Sequence, residues 1–343
     1  MIAHNRPTIG AAEQDAVARV MASGQLAAAG EVHRLEAEFA ATLGLPPECA
    51  VATCNGTAAL YLALWALEAK DRRVLVPAYS CSALRHAVAM AGAAEQLADV
   101  APGSPNVETT VTASCDIAIV AHMYGIPARL PRARGATRFI EDAAQALGAR
   151  VDAVPVGLQG DAGVFSFYAT KLITSAGQGG MLVSRERALA DAVRDYLDFD
   201  CRRDRRARFN FQMTDVQAAM ARVQLRRLGE FLARREEIFM AYRALGIDML
   251  DAPGGDAGIE PVRYRSVWLV DDAKAALAGL HERGVGAINP LEGWELLGDA
   301  QALPAASALT ARTVSLPCYP SLNAQDLRQT RDAVDEVRTA RPR

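Results

Sequence analysis

Between residues 49 and 183 the chain alternates short apolar runs with helical patterns, and this limits the folds open to it more than any other feature. Residues 49–54, 73–76, 94–99, 116–121, 138–141, 163–167 and 181–183 read as buried strands, because they are brief, apolar and bounded by turn residues. Residues 57–69 and 80–91 read as helices between them. The alternation predicts an α/β sandwich around a mostly parallel mixed sheet with helices on both faces. Ligands bind such sheets at the carboxyl ends of the strands, so the segments just after the strands are where chemistry is expected.

Amphipathic helices are predicted before this region, at 11–22 and 31–43, and one or two long helices after it, at 214–245. Pro253-Gly254-Gly255 then breaks the chain. A small α+β pattern follows: a strand at 264–270, a helix at 272–283, short strands near 286–288 and 312–315, and a final helix at 323–337. The expected division is a large α/β domain, residues 1–240, and a small C-terminal domain, residues 241–343, with the boundary falling inside 230–255.

Composition narrows the function. A net charge of −3 lacks the basic excess that nucleic-acid binding needs. No apolar run approaches the ~20 residues of a membrane span. The opening Met1–Pro7 has no apolar signal core, so a cytoplasmic protein is expected. The six cysteines are dispersed without a CxxC pair and the five histidines are scattered, which predicts free thiols and no metal site. Only three of the 37 basic residues are lysines: Lys70, Lys171 and Lys274. A mechanism that needs a primary amine therefore has three candidates.

Four segments carry the chemical signal. Asn55-Gly56-Thr57 ends a strand and starts a helix, where free amides make an anion site. An ordinary βα turn with a Thr cap has the same sequence. Glu141-Asp142 closes a buried strand, and alternation sends one carboxylate toward the site, where it can hold a protonated ring nitrogen. An acid capping the next helix reads the same way. Lys171 follows the strand 163–167 in a loop rich in Gly and hydroxyls, whereas Lys70 and Lys274 sit on solvated helices. There it suits a nucleophile toward a carbonyl, or a plain surface lysine. Asn210 precedes the helix that Thr214 is placed to cap.

Taken together with Pro77–Ala83, His122–Gly125 and Ser315–Pro317, these segments make the chain resemble the DegT-type sugar aminotransferases, a group of fold-type-I enzymes that use pyridoxal 5′-phosphate. The matching segments run in the family's order across residues 50–320. The resemblance implies an aminotransferase of class EC 2.6.1 with ping-pong kinetics. An amino acid, L-glutamate by expectation, would leave its amine as pyridoxamine 5′-phosphate, and a keto-sugar, usually nucleotide-linked, would receive it in amino-sugar or natural-product biosynthesis. Lys171 matches the lysine that bonds the cofactor covalently, and Asp142 the partner of the pyridinium nitrogen. Gln145 matches a neighbour of the ring, and Gly56, Thr57 and Ser166 match phosphate contacts. Asn210 matches a residue reaching the phosphate of the neighbouring subunit, which implies a homodimer with shared active sites. Some members carry histidine in place of the lysine and dehydrate instead; Lys171 favours amino transfer.

Three departures bear on the substrate. Cys81 stands where the family usually stacks an aromatic residue on the ring, so Tyr79 or Cys81 itself is left to cover it. Gln212 stands where arginine is frequent, and Gln212, Tyr79 and Tyr124 are the expected substrate contacts. The stretches between Asp99 and residue 116, and around Gly293–Ala305, are short for the family. A free cyclitol, a non-sugar ketone or aldehyde, a lyase or dehydratase reaction, and a non-catalytic cofactor-binding role are the alternatives. The run Arg202–Arg208 is either a diphosphate site or a solvated charged loop.

Overall fold

The computed structural model describes residues 1–108, 115–132, 135–252 and 257–340. Helices α1 (Ala11–Ser23) and α2 (Gly30–Leu43) open the chain. The alternating region follows as β1 (Ala50–Thr53), α3 (Gly56–Ala66), β2 (Arg73–Pro77), α4 (Ala83–Met90), β3 (Ala94–Ala98), β4 (Ile117–Ala121) and β5 (Arg138–Asp142). A short hairpin, β6 (Arg150–Val151) and β7 (Val154–Pro155), precedes β8 (Ala162–Ser166) and β9 (Gly180–Val183). These strands form a seven-stranded sheet in the order β1-β9-β8-β5-β4-β2-β3. Its pairs are parallel except those of β9, which runs antiparallel to both β1 and β8. The carboxyl ends of β1, β2, β4, β5 and β8 therefore share one edge of the sheet.

Strand alternation divides the core in two. Phe165 and Met181 face α2 and the later helices, packing with Leu35, Phe39 and Ala218. Val164 and Leu182 face the opposite side, packing with Leu60, Leu62 and Val193. Helix α3 is buried from Ala58 to Leu64, so it fills the layer directly behind the site rather than presenting a wet face. Each buried leucine or phenylalanine contributes roughly 1.5–3 kcal/mol, which anchors the loops at the sheet edge to a rigid base.

Helices α5 (Arg187–Leu197), α6 (Asp215–Arg226) and α7 (Leu228–Arg243) lead to the C-terminal part. Helix α5 lies outside the elements expected from the sequence, although its buried Leu189, Ala190, Val193, Tyr196 and Leu197 follow helical spacing. Thr214 does cap α6, accepting from the Gln217 amide. The remaining elements are β10 (Ile259–Glu260), β11 (Ser266–Leu269), α8 (Ala273–Glu282), α9 (Pro304–Arg312), β12 (Thr313–Leu316) and α10 (Ala324–Thr339). Strands β11 and β12 pair antiparallel, and the expected strand at 286–288 reduces to a single bridge between Ile288 and Ser315. The break expected at 253–255 lies outside the described residues.

Packing around residue 240 is shared. Phe231 of α7 belongs to the core of the large sheet, whereas Ile238 and Tyr242 belong to the C-terminal core. Ile2 packs in that C-terminal core too, and β10 pairs with β6. No described helix is long and apolar enough to cross a membrane.

Candidate functional site

A cavity of about 1010 Å³ opens at the shared edge of the strands. One corner is the turn from β1 into α3. Asn55 caps this helix, its Oδ1 accepting from the Ala58 amide at 2.8 Å, and the Thr53 hydroxyl donates to Asn55 O at 2.9 Å. The amides of Gly56 and Thr57 belong to the first turn, where no intrahelical acceptor exists. Glycine is required at 56 because a Cβ there would stand 2.9 Å from Ser166 Cβ, at the end of β8. Gly56, Thr57 and Ser166 thus form a concave, donor-rich corner of the cavity wall.

The two carboxylates at the end of β5 divide as alternation requires. Glu141 is fully buried and turned away from the cavity. Its Oε2 is 2.9 Å from His122 Nε2, and its Oε1 accepts from the amides of Gln159 at 2.7 Å and Gly160 at 2.8 Å. Burial alone would raise its pKa, yet His122 and the backbone donors hold it below the usual carboxylate range. His122 accepts from the Ala128 amide at Nδ1, so it donates from Nε2 and is a structural tie. Asp142 faces the cavity instead, and its Oδ1 accepts from the Ala144 amide at 3.0 Å. Burial raises its pKa, with Ala144, Lys171 and His122 opposing in part. Such a carboxylate is stabilised by a cation brought to it.

Lys171 enters the cavity from the loop after β8. Its Nζ is 5.2 Å from the centre of the Tyr264 ring. Burial would raise the Tyr264 pKa, but the charges of Lys171, Arg265 and Arg235 and a hydrogen bond with Thr170 together bring the phenol to about 8. Tyr264 and Arg265 are cavity residues that the sequence reading missed, whereas the rim residue Trp294 falls in the Gly293–Ala305 stretch already singled out. A Tyr-Arg pair opening a strand carries no local signal, and only the tertiary fold sets it beside Lys171.

Among the expected contacts, Cys81, Gln145 and Tyr124 line the cavity. Cys81 is exposed at its edge, and Gln145 Oε1 accepts from the Tyr124 amide at 2.7 Å. Tyr79 requires correction as a ring-covering or substrate residue. It is fully buried, with its hydroxyl 2.7 Å from that of Tyr124, and it stands behind the cavity wall. Gln212 does not line the cavity of its own chain, and its side-chain amide donates to Leu197 O at 3.0 Å. Asn210 is exposed and does not line the cavity of its own chain. In the basic run, Arg202 and Arg208 are held by Asp195, Asp198 and Asp204, which leaves these two cations matched rather than open to a diphosphate.

Comparison with known proteins gives a consistent result. The model of the DegT/DnrJ/EryC1/StrS aminotransferase family matches residues 7–335. A UDP-N-acetyl-3-dehydro-alpha-D-glucosamine 3-aminotransferase of Acidithiobacillus ferrooxidans is 30% identical over 85% of this chain and 85% of its own length. A dTDP-4-dehydro-2,3,6-trideoxy-D-glucose 4-aminotransferase of Saccharopolyspora spinosa is 29% identical over 97% of this chain and 95% of its own. Among solved structures, the aminotransferase TlmJ of Streptoalloteichus hindustanus superposes with a TM-score of 0.88 at 28% identity, covering 98% of each chain. The sugar aminotransferase CalS13 of Micromonospora echinospora shares the fold, with a TM-score of 0.87 at 24% identity over 98% of this chain and 100% of its own.

Proposed function

The chain belongs to the DegT/DnrJ/EryC1/StrS aminotransferase family, and from that premise we propose that its cavity binds pyridoxal 5′-phosphate and passes an amino group from L-glutamate to a nucleotide-linked keto-sugar. The observation that carries this reading is the convergence of Lys171, Asp142 and the Gly56-Thr57 helix start in one cavity. These are the three parts the cofactor needs: an amine for its aldehyde, a carboxylate for its ring nitrogen and a donor-rich corner for its phosphate. Bound there, the cofactor supplies an electron sink for the bond broken at the donor's α-carbon.

The chain's own residues do the rest. Asp142 keeps the ring nitrogen protonated through opposite charge in a poorly solvated site. Lys171 Nζ takes the proton from the donor Cα and, in the second half-reaction, delivers one to the acceptor carbon. Gln145 lines the same cavity and would flank the ring, and Ser166 and Thr57 would add hydroxyls to the phosphate corner. The named substrates of the Acidithiobacillus and Saccharopolyspora relatives support a nucleotide-linked acceptor, and the cavity volume supports a ligand of that size. We further propose a homodimer in which Asn210, exposed ahead of α6, completes the neighbouring site. A cytoplasmic setting suits the six free cysteines.

The test is an absorbance titration followed by product analysis. The purified protein should show a visible cofactor band that glutamate removes, and mass spectrometry should find the aminated sugar nucleotide. Absence of the band, or of its response to glutamate, refutes the reading. A dehydrated product would instead assign a dehydratase.

A further inference from the structure

Arg265 stands on the cavity wall, immediately before β11 and next to Tyr264. Its Cζ is 5.4 Å from the centre of the ring that also receives Lys171 Nζ at 5.2 Å. Both cations therefore address one side chain of the cavity. Their surroundings differ from those of other arginines nearby. Arg263, two residues earlier, is matched by Glu236 and Asp251. No carboxylate among the described residues lies within ion-pair distance of Arg265.

The groups that do hold Arg265 are neutral. Its Nη1 donates to His4 Nε2 at 3.2 Å and to Ser315 Oγ at 3.3 Å. His4 and Ser315 are 2.9 Å apart. Burial, reinforced by the charges of Arg265 and Arg235, holds the His4 ring far below its usual range, at about 3. His4 therefore accepts from the guanidinium as an uncharged ring. The segment carrying His4 is fixed on both sides: Ile2 pairs with residues around Val285, and Asn5 Nδ2 donates to Thr170 O at 3.1 Å, one residue before Lys171. The guanidinium is thus aimed without being neutralised.

We propose that Arg265 is the residue that recognises the carboxylate of the amino-acid donor, and that His4 positions it. The proposal rests on the aminotransferase reading above. An unmatched guanidinium in a partly dry cavity gains most from a planar anion that accepts two parallel hydrogen bonds. The donor's carboxylate is such an anion, and it is joined through a single carbon to the nitrogen that must arrive where Lys171 ends. The diphosphate of a sugar nucleotide hangs on the far side of the sugar from the reacting carbonyl. The cofactor phosphate has its own corner at Gly56 and Thr57. A cation sharing a ring with Lys171 therefore fits the donor and not the other two anions.

Two measurements on the cofactor-loaded protein test this. The first is the glutamate concentration needed to half-remove the visible cofactor band without acceptor. The second is calorimetric binding of glutarate, which carries the carboxylates and no amine, with UDP as the parallel probe. Arg265→Gln should raise the half-saturating glutamate about 100-fold, as expected for loss of one partner of a charged pair, and weaken glutarate similarly. UDP binding should stay as in wild type. Arg265→Lys should recover part of the loss. His4→Leu should raise the glutamate requirement while keeping the maximal rate, and His4→Gln, which retains an acceptor, should restore it. An intact visible band in each variant reports correct folding. Unchanged glutamate and glutarate titrations in Arg265→Gln overturn the proposal. So does a variant that loses UDP and keeps glutarate, because Arg265 would then serve the diphosphate. If wild-type protein binds glutarate but glutamate leaves the band unchanged, the aminotransferase reading fails while the calorimetry still decides the role of Arg265.

Discussion

Neutralising Glu141 and Asp142 one at a time should separate folding from cofactor binding. Glu141 is fully buried and satisfies His122 Nε2, Gln159 Nε2 and the amides of Gln159 and Gly160, at 2.7 to 3.0 Å. In Glu141→Gln an NH₂ group replaces one oxygen, so two of these donors face another donor in a dry site. Hydrogen bonds to a charged group contribute about 1.5–3 kcal/mol each, and breaking a buried charged network costs roughly 3–5 kcal/mol. A loss of about 3–5 kcal/mol is expected, read as a fall of about 1 M or more in the urea midpoint of the cofactor-free protein at pH 7. The pH dependence has a definite sign. The folded-state pKa of Glu141 is depressed, so its contribution is present above the unfolded value, about 4.3, and is lost as pH falls through the lower folded value. The gap between wild type and Glu141→Gln should therefore narrow in acid. Asp142 has the opposite sign: its raised pKa makes the ionised form a cost at pH 7. Asp142→Asn should keep or raise the urea midpoint of the cofactor-free protein while weakening cofactor binding and abolishing glutamate turnover. An unchanged midpoint in Glu141→Gln, or an equal fall in Asp142→Asn, would refute the division of roles.

Lys171→Ala should remove the visible cofactor band and lower turnover by about 100- to 10,000-fold in a stopped-flow half-reaction. Gly56→Val should weaken cofactor affinity about 10-fold by spectral titration, because the new side chain meets Ser166 and pushes the helix start off β8. Gly125 has φ +88°, and a Cβ there would lie 2.1 Å from Val262 O, so Gly125→Ala should lower stability by at least about 2 kcal/mol in thermal or urea melts. Co-expressed Lys171→Ala and Asn210→Ala chains should show activity that neither variant has alone, if the site is shared; a mixture as inactive as the parents would argue for sites within one chain.

The parts of the site that local chemistry defines were legible in the sequence. A strand ending in Asn-Gly-Thr announces a helix start, and Glu141-Asp142 at a strand end announces opposed carboxylates, because the pleat alternates. Which of the two turns inward is set by strand packing, and nothing local distinguishes them. Tyr79 illustrates the limit from the other side. An aromatic next to the cofactor loop invites a role in covering the ring, but its hydroxyl is taken by Tyr124 and its ring by the core. Tyr264 and Arg265 were invisible because their importance comes from the contact of Lys171 with the Tyr264 ring, between segments roughly 90 residues apart. Helix α5 was a different kind of miss. Its apolar positions follow helical spacing, but Asp191, Arg194 and Asp195 stand among them, so the segment lacks a continuous apolar run.

The backbone tie between Gly125 and Val262 has a mechanical consequence. Gly125 O accepts from the Val262 amide at 2.9 Å, and Val262 and Tyr264 pack in the core of the large sheet. The chain is thus riveted to the strand-end platform up to Tyr264, while Ser266 already begins β11. The rim is tied to the same platform, because the Leu297 amide donates to Ala78 O at 3.1 Å and Asp99 accepts from the Ala305 and Ala306 amides at 2.9 and 2.8 Å. Arg265 therefore lies between two segments held by the strand ends, so its distance from Lys171 does not depend on the packing of the C-terminal layer alone.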